Sequence, residues 1–447
     1  MMTVSKIRDK LKVNSGKFSN DSVAMNHIFL YGPPGAGKSS TGRILALNLK
    51  VEFVDLDAEI ENFTGSTIPQ IMEEWGENGF RDIETTVLKR NVKGRTKIIA
   101  LGGGALLRAQ NRSIAESKGA VVFLEADLQI LIDRLISAPA IRPLLAGTLE
   151  EQLFLLLDRR RQHYASFGLR VTSSGKTPSE TAAEIQLALG RFHVQGMGKG
   201  YDVLFQPGGF EDLVELLRES GLGPPVAIAC DENVAPIYGD RLLTVLRRAG
   251  YGYNRPHMVT IPAGEEHKTI ESVMKFWRRF LLAGLDRKST VLALGGGVIG
   301  DLAGFAASTF MRGIPWINIP TTLLAMVDSS LGGKTGFDLP EGKNLVGAFH
   351  PPRLIIANPY LLTTLPDTEL RSGLAEAVKH GVIADPALFA LCGQGYSAVK
   401  ANISEIVRRG MAVKIRVIES DPYEQGLRAS LNLGHTLGHA LESVSNF

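Results

Sequence analysis

His27-Ile28-Phe29-Leu30-Tyr31-Gly32-Pro33-Pro34-Gly35-Ala36-Gly37-Lys38-Ser39 decides the fold of the first part of the chain. The run His27 to Tyr31 is short and apolar, as a buried strand would be, and Ser39 to Leu49 is helix-compatible. Between them, Gly32-x4-Gly37-Lys38-Ser39 fits a phosphate-binding loop. Glycines let backbone N–H groups turn onto phosphate oxygens. The helix N-terminus adds partial positive charge and Lys38 a full one. Ser39 would hold Mg2+. A plain glycine-rich strand–helix turn would not require strand, spacing, lysine and hydroxyl to coincide.

Further strand-like runs follow at Val51–Val54, Lys97–Leu101 and Ala120–Leu124, with helical patterns between them. Such alternation implies a parallel sheet with helices on both faces. The pattern fades after a helical stretch, Ser179 to Leu189. Gly190 to Gly200 holds four glycines and no helical period, which places a linker at 190–200. A second α/β pattern starts at Tyr201, with strands expected at Asp202–Phe205, Val226–Cys230, Met258–Ile261 and Val291–Leu294. Beyond Pro366 the apolar spacing turns helical, across Leu370–Ile383 and Ile403–Val417.

Composition sets bounds on function. A chain of 447 residues holds two or three domains with full cores. Net charge is +3, and no aromatic residues interleave the scattered basic ones, so nucleic acid is not an expected partner. The two cysteines make no disulfide framework and fit a reducing cytoplasm. No run of about 18 uncharged apolar residues suggests a membrane span. Residues 1–25 are polar and basic and read as a flexible tail; a transit peptide is the alternative, and Met25 is a second candidate start.

Around the first cassette, Asp55-Leu56-Asp57 closes the second expected strand, where two carboxylates would face the phosphates. One orders magnesium's water shell; the other takes a proton from an attacking hydroxyl. Arg81, the turn Gly102-Gly103-Gly104, Arg142 in Ile141-Arg142-Pro143-Leu144-Leu145, and Arg160 before Tyr164 complete the set. Singly these arginines read as surface residues; together they suggest an anionic acceptor beside a triphosphate.

With these motifs the chain resembles shikimate kinase over 26–189. The resemblance implies ATP held by Gly35, Gly37, Lys38, Ser39, Ser40 and the lid residue Arg142, with Mg2+ on Ser39 and Asp55. Shikimate would lie on Asp57, Arg81, Gly103, Gly104 and Arg160, Asp57 positioning the reacting hydroxyl. Lys38, Asp57 and Arg142 would be catalytic. After Tyr164 the chain reads Ala-Ser-Phe-Gly, where the family pattern has an acidic and then a small residue. Kinases of other small hydroxylated acids, such as gluconate kinase, are the alternative.

The second cassette, Gly295-Gly296-Gly297-Val298-Ile299-Gly300-Asp301, lacks the usual dinucleotide spacing, though its glycines allow a pyrophosphate to approach. Ile319 to Ser330 packs hydroxyls and Asp328 among apolar residues, and Lys334, Lys343 and Asn344 add anion-binding groups. Glu424, Arg428, Asn432, His435 and His439 are spaced to share one face of a continuous helix. Two histidines on a stripe with Glu, Arg and Asn point to a site, and imidazole with a distant carboxylate suits Zn2+.

Here the chain resembles 3-dehydroquinate synthase over 201–447, through Gly-Gly-Gly-Val-Ile-Gly-Asp-Leu-Ala-Gly-Phe, Pro-Thr-Thr-Leu-Leu-Ala, Asp-Ser-Ser-Leu-Gly-Gly-Lys-Thr-Gly and Leu-Asn-Leu-Gly-His-Thr-Leu-Gly-His-Ala. The resemblance implies NAD+ on Asp231, Asn233, Glu265, Lys268, Gly296, Gly297, Asp301, Thr321, Thr322, Asp328, Lys334 and Lys343. It implies Zn2+, or another divalent metal such as Co2+, on Glu376 and His435, and a phosphorylated keto acid on Arg312, Lys334, Asn344, Lys379, Lys414, Arg428 and Asn432. Arg312 would reach across a homodimer. Lys334, Glu424 and His439 are the catalytic candidates. The family pattern continues past Phe447, and a third zinc ligand, another histidine, is expected in that continuation.

The fold expected is thus α/β: a P-loop kinase domain with a parallel sheet, then an α/β NAD-binding domain leading into a mainly helical metal-binding domain. The function expected is bifunctional, a kinase joined to a carbocycle-forming, phosphate-eliminating lyase on small-molecule substrates. Two alternatives are a kinase fused to an inactive binding or dimerising module, and a second half related to metal-dependent alcohol dehydrogenases.

Overall fold

The computed structural model describes residues 27–137, 149–206, 208–251 and 257–434. The tail 1–25, Arg142, His435 and His439 lie outside the described residues.

Five parallel strands form the first sheet: β1 (His27–Tyr31), β2 (Glu52–Asp55), β3 (Lys97–Ala100), β4 (Gly119–Glu125) and β5 (Arg170–Thr172), in the order β2-β3-β1-β4-β5. All five residues of β1 are buried, and they alternate between two cores. Ile28 and Leu30 pack with α1 (Lys38–Leu49), while Phe29 and Tyr31 face α2 (Leu56–Thr64) and α3 (Ile68–Asn91). A strand buried on both faces reads as a continuous apolar run, which His27 to Tyr31 does. Each large apolar side chain buried this way stabilises the fold by about 1.5–3 kcal/mol. Further helices of this half include α4 (Leu149–Ala165) and α5 (Pro178–Leu189). A capping box between Thr177 and Glu180 starts α5, and Gly190 at φ 62° ends it.

The second sheet has seven strands. They are β6 (Arg191–Val194), β7 (Tyr201–Phe205), β8 (Val226–Asp231), β9 (His257–Ile261), β10 (Thr290–Gly295), β11 (Trp316–Pro320) and, after the hairpin β12 (Lys334–Leu339) and β13 (Gly342–Phe349), β14 (Leu354–Ala357). The order is β6-β7-β14-β11-β10-β8-β9, and β6 alone runs antiparallel to its neighbour. The helix α6 (Gly297–Thr309) follows β10; α7 (Asp367–Ala384) and α8 (Ile403–Ser420) build the helical part. No helix among the described residues is long and apolar enough to cross a membrane.

Two local expectations are corrected. The stretch 190–200 is not a linker free of regular structure, because β6 occupies its first half and pairs with β7. Phe192 and Val194 bury themselves in the second core while Arg191 and His193 stay partly exposed, a period of two too short to stand out among glycines. The described part of the Glu424 stripe is not a continuous helix either. α8 ends at Ser420, and the Asp421 carboxylate accepts N–H groups from Gln425, Gly426 and Arg428. These bonds turn the chain, Glu424 takes a left-handed φ of 59°, and Leu427–Asn432 is only 3-10 helix.

Two candidate active sites

The first site forms at the C-terminal end of β1. Gly32 holds φ 151°, and a Cβ there would lie 2.1 Å from the carbonyl oxygen of Leu124, so only glycine fits. Lys38 Nζ donates to the carbonyls of Gly32 (2.8 Å) and Pro33 (2.9 Å), which holds the ammonium over the loop. Gly35 and Gly37 both adopt left-handed φ, and Ser40 donates to the Gly37 carbonyl. Ser39 Oγ donates to Asp55 Oδ2 at 2.6 Å, so the two expected magnesium residues meet. Asp55 Oδ1 also caps the Asp57 N–H.

Beside the loop lies the acceptor pocket. A Cβ on Gly102 would meet Asp57 Oδ1 at 2.9 Å, and one on Gly104 would meet the guanidinium groups of Arg81 and Arg160 at 2.5 and 3.3 Å. Asp57, Arg81, Arg160 and the glycine turn therefore converge. Arg160 and Tyr164 donate to the Gly103 carbonyl at 2.7 and 2.9 Å. Arg81 makes a forked pair with fully buried Glu84, at 3.0 and 2.9 Å. Burial pushes the Glu84 carboxyl up to about 6, against the opposing pull of Arg81. Three residues here had no role foreseen. Glu84 orients Arg81, Tyr31 donates to Gly103, and Arg134 donates to the Gly35 carbonyl and to Ser173. Only Glu84 carried a signal, its place three residues after Arg81 on one helix face.

The second site lies along the C-terminal ends of neighbouring parallel strands, where open α/β sheets bind ligands. Asp231 ends β8 and caps the N–H groups of Asn233 and Val234, both at 2.9 Å. Thr321 and Thr322 follow β11, and Thr322 packs where a Cβ on Gly296 would sit. The turn after β9 brings Glu265 within 3.9 Å of buried Lys268, whose Nζ donates to Asp301 Oδ2 at 2.7 Å and Asn344 Oδ1 at 2.6 Å. Burial pushes the Asp301 carboxyl up to about 6 although Lys268 opposes it. A glycine-lined crevice with fixed hydrogen-bonding groups fits a dinucleotide.

A cavity of about 640 Å3 opens beside that crevice, lined by Lys334, Lys379, Lys414 and Arg428 against Asp301, Asp328 and Glu424, with Asn344 and Asn432. Its lysines are held on carboxylates. Lys414 donates to Asp328 at 2.6 Å, Lys334 pairs with Glu424, and Lys379 pairs with Glu376. Burial would raise the Asp328 carboxyl, but Lys414 outweighs it and the group stays well below the usual range. Burial also lowers Lys414, so its ammonium is the costly member of the pair. Arg428 is buried and donates to the Pro422 carbonyl at 2.6 Å. Lys343 and Arg312 are not among the residues lining this cavity. Asp328, Glu376 and His380 each offer one donor atom, all within 4.8 Å of one another, a set that fits a divalent cation. His380 had no role foreseen; it stands one helical turn after Glu376.

The shikimate kinase family pattern matches residues 34–189. The 3-dehydroquinate synthase N-terminal and C-terminal patterns match 258–372 and 373–447. A 3-dehydroquinate synthase from Pelobacter propionicus is 46% identical over 251 residues, 55% of this chain and 69% of that protein. One from Synechocystis sp. is 43% identical over 253 residues, again 55% and 69%. A crystal structure of 2-deoxy-scyllo-inosose synthase complexed with carbaglucose-6-phosphate, NAD+ and Co2+ superposes with a TM-score of 0.51 at 26% identity, covering 57% of this chain and 70% of that one.

Proposed function

We propose, for a chain that belongs to the 3-dehydroquinate synthase family and carries a shikimate kinase region ahead of it, a division of labour between the two sites just described. The chain is a bifunctional shikimate-pathway enzyme. It combines phosphorylation of shikimate to shikimate 3-phosphate with NAD- and metal-dependent conversion of 3-deoxy-arabino-heptulosonate 7-phosphate to 3-dehydroquinate and phosphate.

In the kinase half, ATP lies on the loop from Gly32 to Ser40, and Mg2+ on Ser39 and Asp55. Arg142 closes over the phosphates. Arg81 and Arg160 hold the acceptor's carboxylate, and Asp57 takes the proton of the hydroxyl that attacks. Lys38 stabilises charge on the transferring group.

In the synthase half, NAD+ rests on the strand ends from Asp231 to Thr322, and a divalent cation on Glu376 with His435. When bound, NAD+ supplies a reversible oxidation and the cation a Lewis acid. The chain's own part is to neutralise and orient an anionic substrate. Lys334, Lys379, Lys414, Arg428 and Asn432 do this, and Glu424 and His439 handle protons. The observation that carries the reading is the cavity whose lysines are each held ready on a carboxylate. Arg312, at left-handed φ 69°, lies outside the substrate cavity of its own chain and is assigned to reach a second copy in a homodimer. Both cysteines are free, which supports a cytoplasmic setting.

The test is phosphate release from the heptulosonate phosphate with NAD+ and Zn2+, alongside shikimate-dependent ADP formation in the same sample. Both activities are expected. ADP formation without phosphate release would reduce the second half to a binding module.

A further inference from the structure

We propose that Tyr31 and His163 are positioning residues for the kinase acceptor. The single proton of the Tyr31 hydroxyl is contested between His163 Nε2 and the Gly103 carbonyl. When His163 is protonated that proton goes to Gly103, and Arg160 is released towards the acceptor's carboxylate. The proposal deepens the kinase reading given above and rests on Arg160 as a carboxylate ligand.

The Gly103 carbonyl is oversubscribed. Arg160 reaches it at 2.7 Å, the Tyr164 hydroxyl at 2.9 Å and the Tyr31 hydroxyl at 3.3 Å. A carbonyl oxygen has two lone pairs, and the third donor, Tyr31, is the one held furthest off. Tyr31 also lies 3.0 Å from His163 Nε2. With that nitrogen bare, the hydroxyl donates to it, and Gly103 is left to Arg160 and Tyr164. Tyr31 is fully buried at the end of β1, its ring set edge-on to those of His163, Tyr164 and Phe167, so its hydroxyl is fixed between these two acceptors.

Protonation reverses the order. Half-buried His163 takes a proton from solvent, its Nε2–H donates to the Tyr31 oxygen, and the Tyr31 proton turns to Gly103. Burial holds the His163 imidazole below its ordinary 6.5, and repulsion from Arg112 and Arg160 acts the same way. That repulsion is mutual, so of the two donors already on Gly103, Arg160 is the one that yields. The charged groups acting on His163 are Arg160, on the same helix α4, and Arg112 on the helix Ala109–Lys118, which pairs with Glu116 at 2.7 Å. Tyr31 and Tyr164 stay un-ionised, because burial pushes both phenols up. The second terminal nitrogen of Arg160 already stands with Arg81 beside Gly104, where a Cβ would meet them at 3.3 and 2.5 Å. Released from Gly103, the Arg160 fork grips a carboxylate with both nitrogens.

The experiment measures shikimate KM and kcat at saturating Mg2+-ATP, from about pH 8 to about pH 5, on the full chain, Tyr31→Phe and His163→Leu. Tyr31→Phe keeps the buried ring and removes the contested proton; His163→Leu removes the group that redirects it. In both variants KM relative to wild type should rise about three- to tenfold as pH falls across this range, because only the wild type gains the freed arginine. The change should fall on KM rather than kcat. Glu84, at about 6, titrates in the same window, but all three proteins keep it, so the ratios isolate His163. A merely structural role would move KM by one factor at every pH. A constant ratio in either variant would overturn the proposal. Arg160→Ala separates that failure from failure of the underlying reading. If it raises shikimate KM by about tenfold or more while the ratios stay flat, Arg160 keeps its carboxylate and only the Tyr31–His163 relay is excluded. If it leaves shikimate KM unchanged, Arg160 is no ligand and both fall.

Discussion

Glu84 shows how a single buried carboxylate sets the terms for a binding arginine. Its folded pKa of about 6 lies above the ordinary 4.5, so the folded chain holds that proton more tightly than the unfolded one. The ionised form therefore costs stability above pH 6, on the order of 2 kcal/mol, and the cost fades as pH falls from 6 towards 4.5. Wild-type melting temperature should accordingly rise between pH 7.5 and 5.5 relative to Glu84→Gln, which keeps an acceptor for Arg81 but cannot titrate. A flat difference across that range would assign the titration elsewhere. Residues of this kind were the hardest to read in advance. Asp57, Arg81 and Arg160 stood out because charged groups in a fixed order suggest a ligand. Glu84 did not, since its importance comes from complete burial, which neighbouring elements impose.

At the scale of elements, eight strands of the two sheets were legible as short apolar runs bounded by polar or glycine-rich sequence, whereas β5, β6, β11 and β14 were not. Nor was the segment after α8. Periodicity alone suggests one helix from Glu424 onward, yet a carboxylate that satisfies three backbone donors competes with helix formation. The resulting loop still brings Glu424, Arg428 and Asn432 to the cavity, by a different backbone path. Asp421→Ala should release this wall. The expected result is a rise in synthase KM for the phosphorylated substrate, roughly tenfold, since three charge-assisted bonds are lost together. Shikimate KM should be unaltered. A synthase KM within twofold of wild type would mean that the loop holds its shape without Asp421.

For the molecule as a whole, the two sheets are joined by more than a peptide. Arg408 on α8 donates to the carbonyl of Ala188 on α5 at 2.8 Å, while its guanidinium stacks over Phe205 of its own half. Arg408→Ala should lower stability by about 1–3 kcal/mol and separate the melting of the halves. Heating while following ADP formation and NAD+ binding tests this; loss of both at one shared temperature would argue against it. The chemistry should nonetheless stay separate. Lys38→Ala is expected to cut phosphoryl transfer by roughly a hundredfold or more and leave phosphate release from the heptulosonate phosphate unchanged. A parallel fall in both would mean that the sites communicate.

The position of β6 bears on how such a fusion can be taken apart. The strand follows directly on the last kinase helix, but it hydrogen-bonds to the synthase sheet as its outermost member. A gene divided at the glycines before Tyr201 would leave β6 on the wrong fragment and strip β7 of its outer partner. The bared row of N–H and C=O groups then invites other chains, the usual origin of inclusion bodies. A division just ahead of Arg191 keeps the edge covered, so a few codons separate a soluble half-enzyme from an aggregating one.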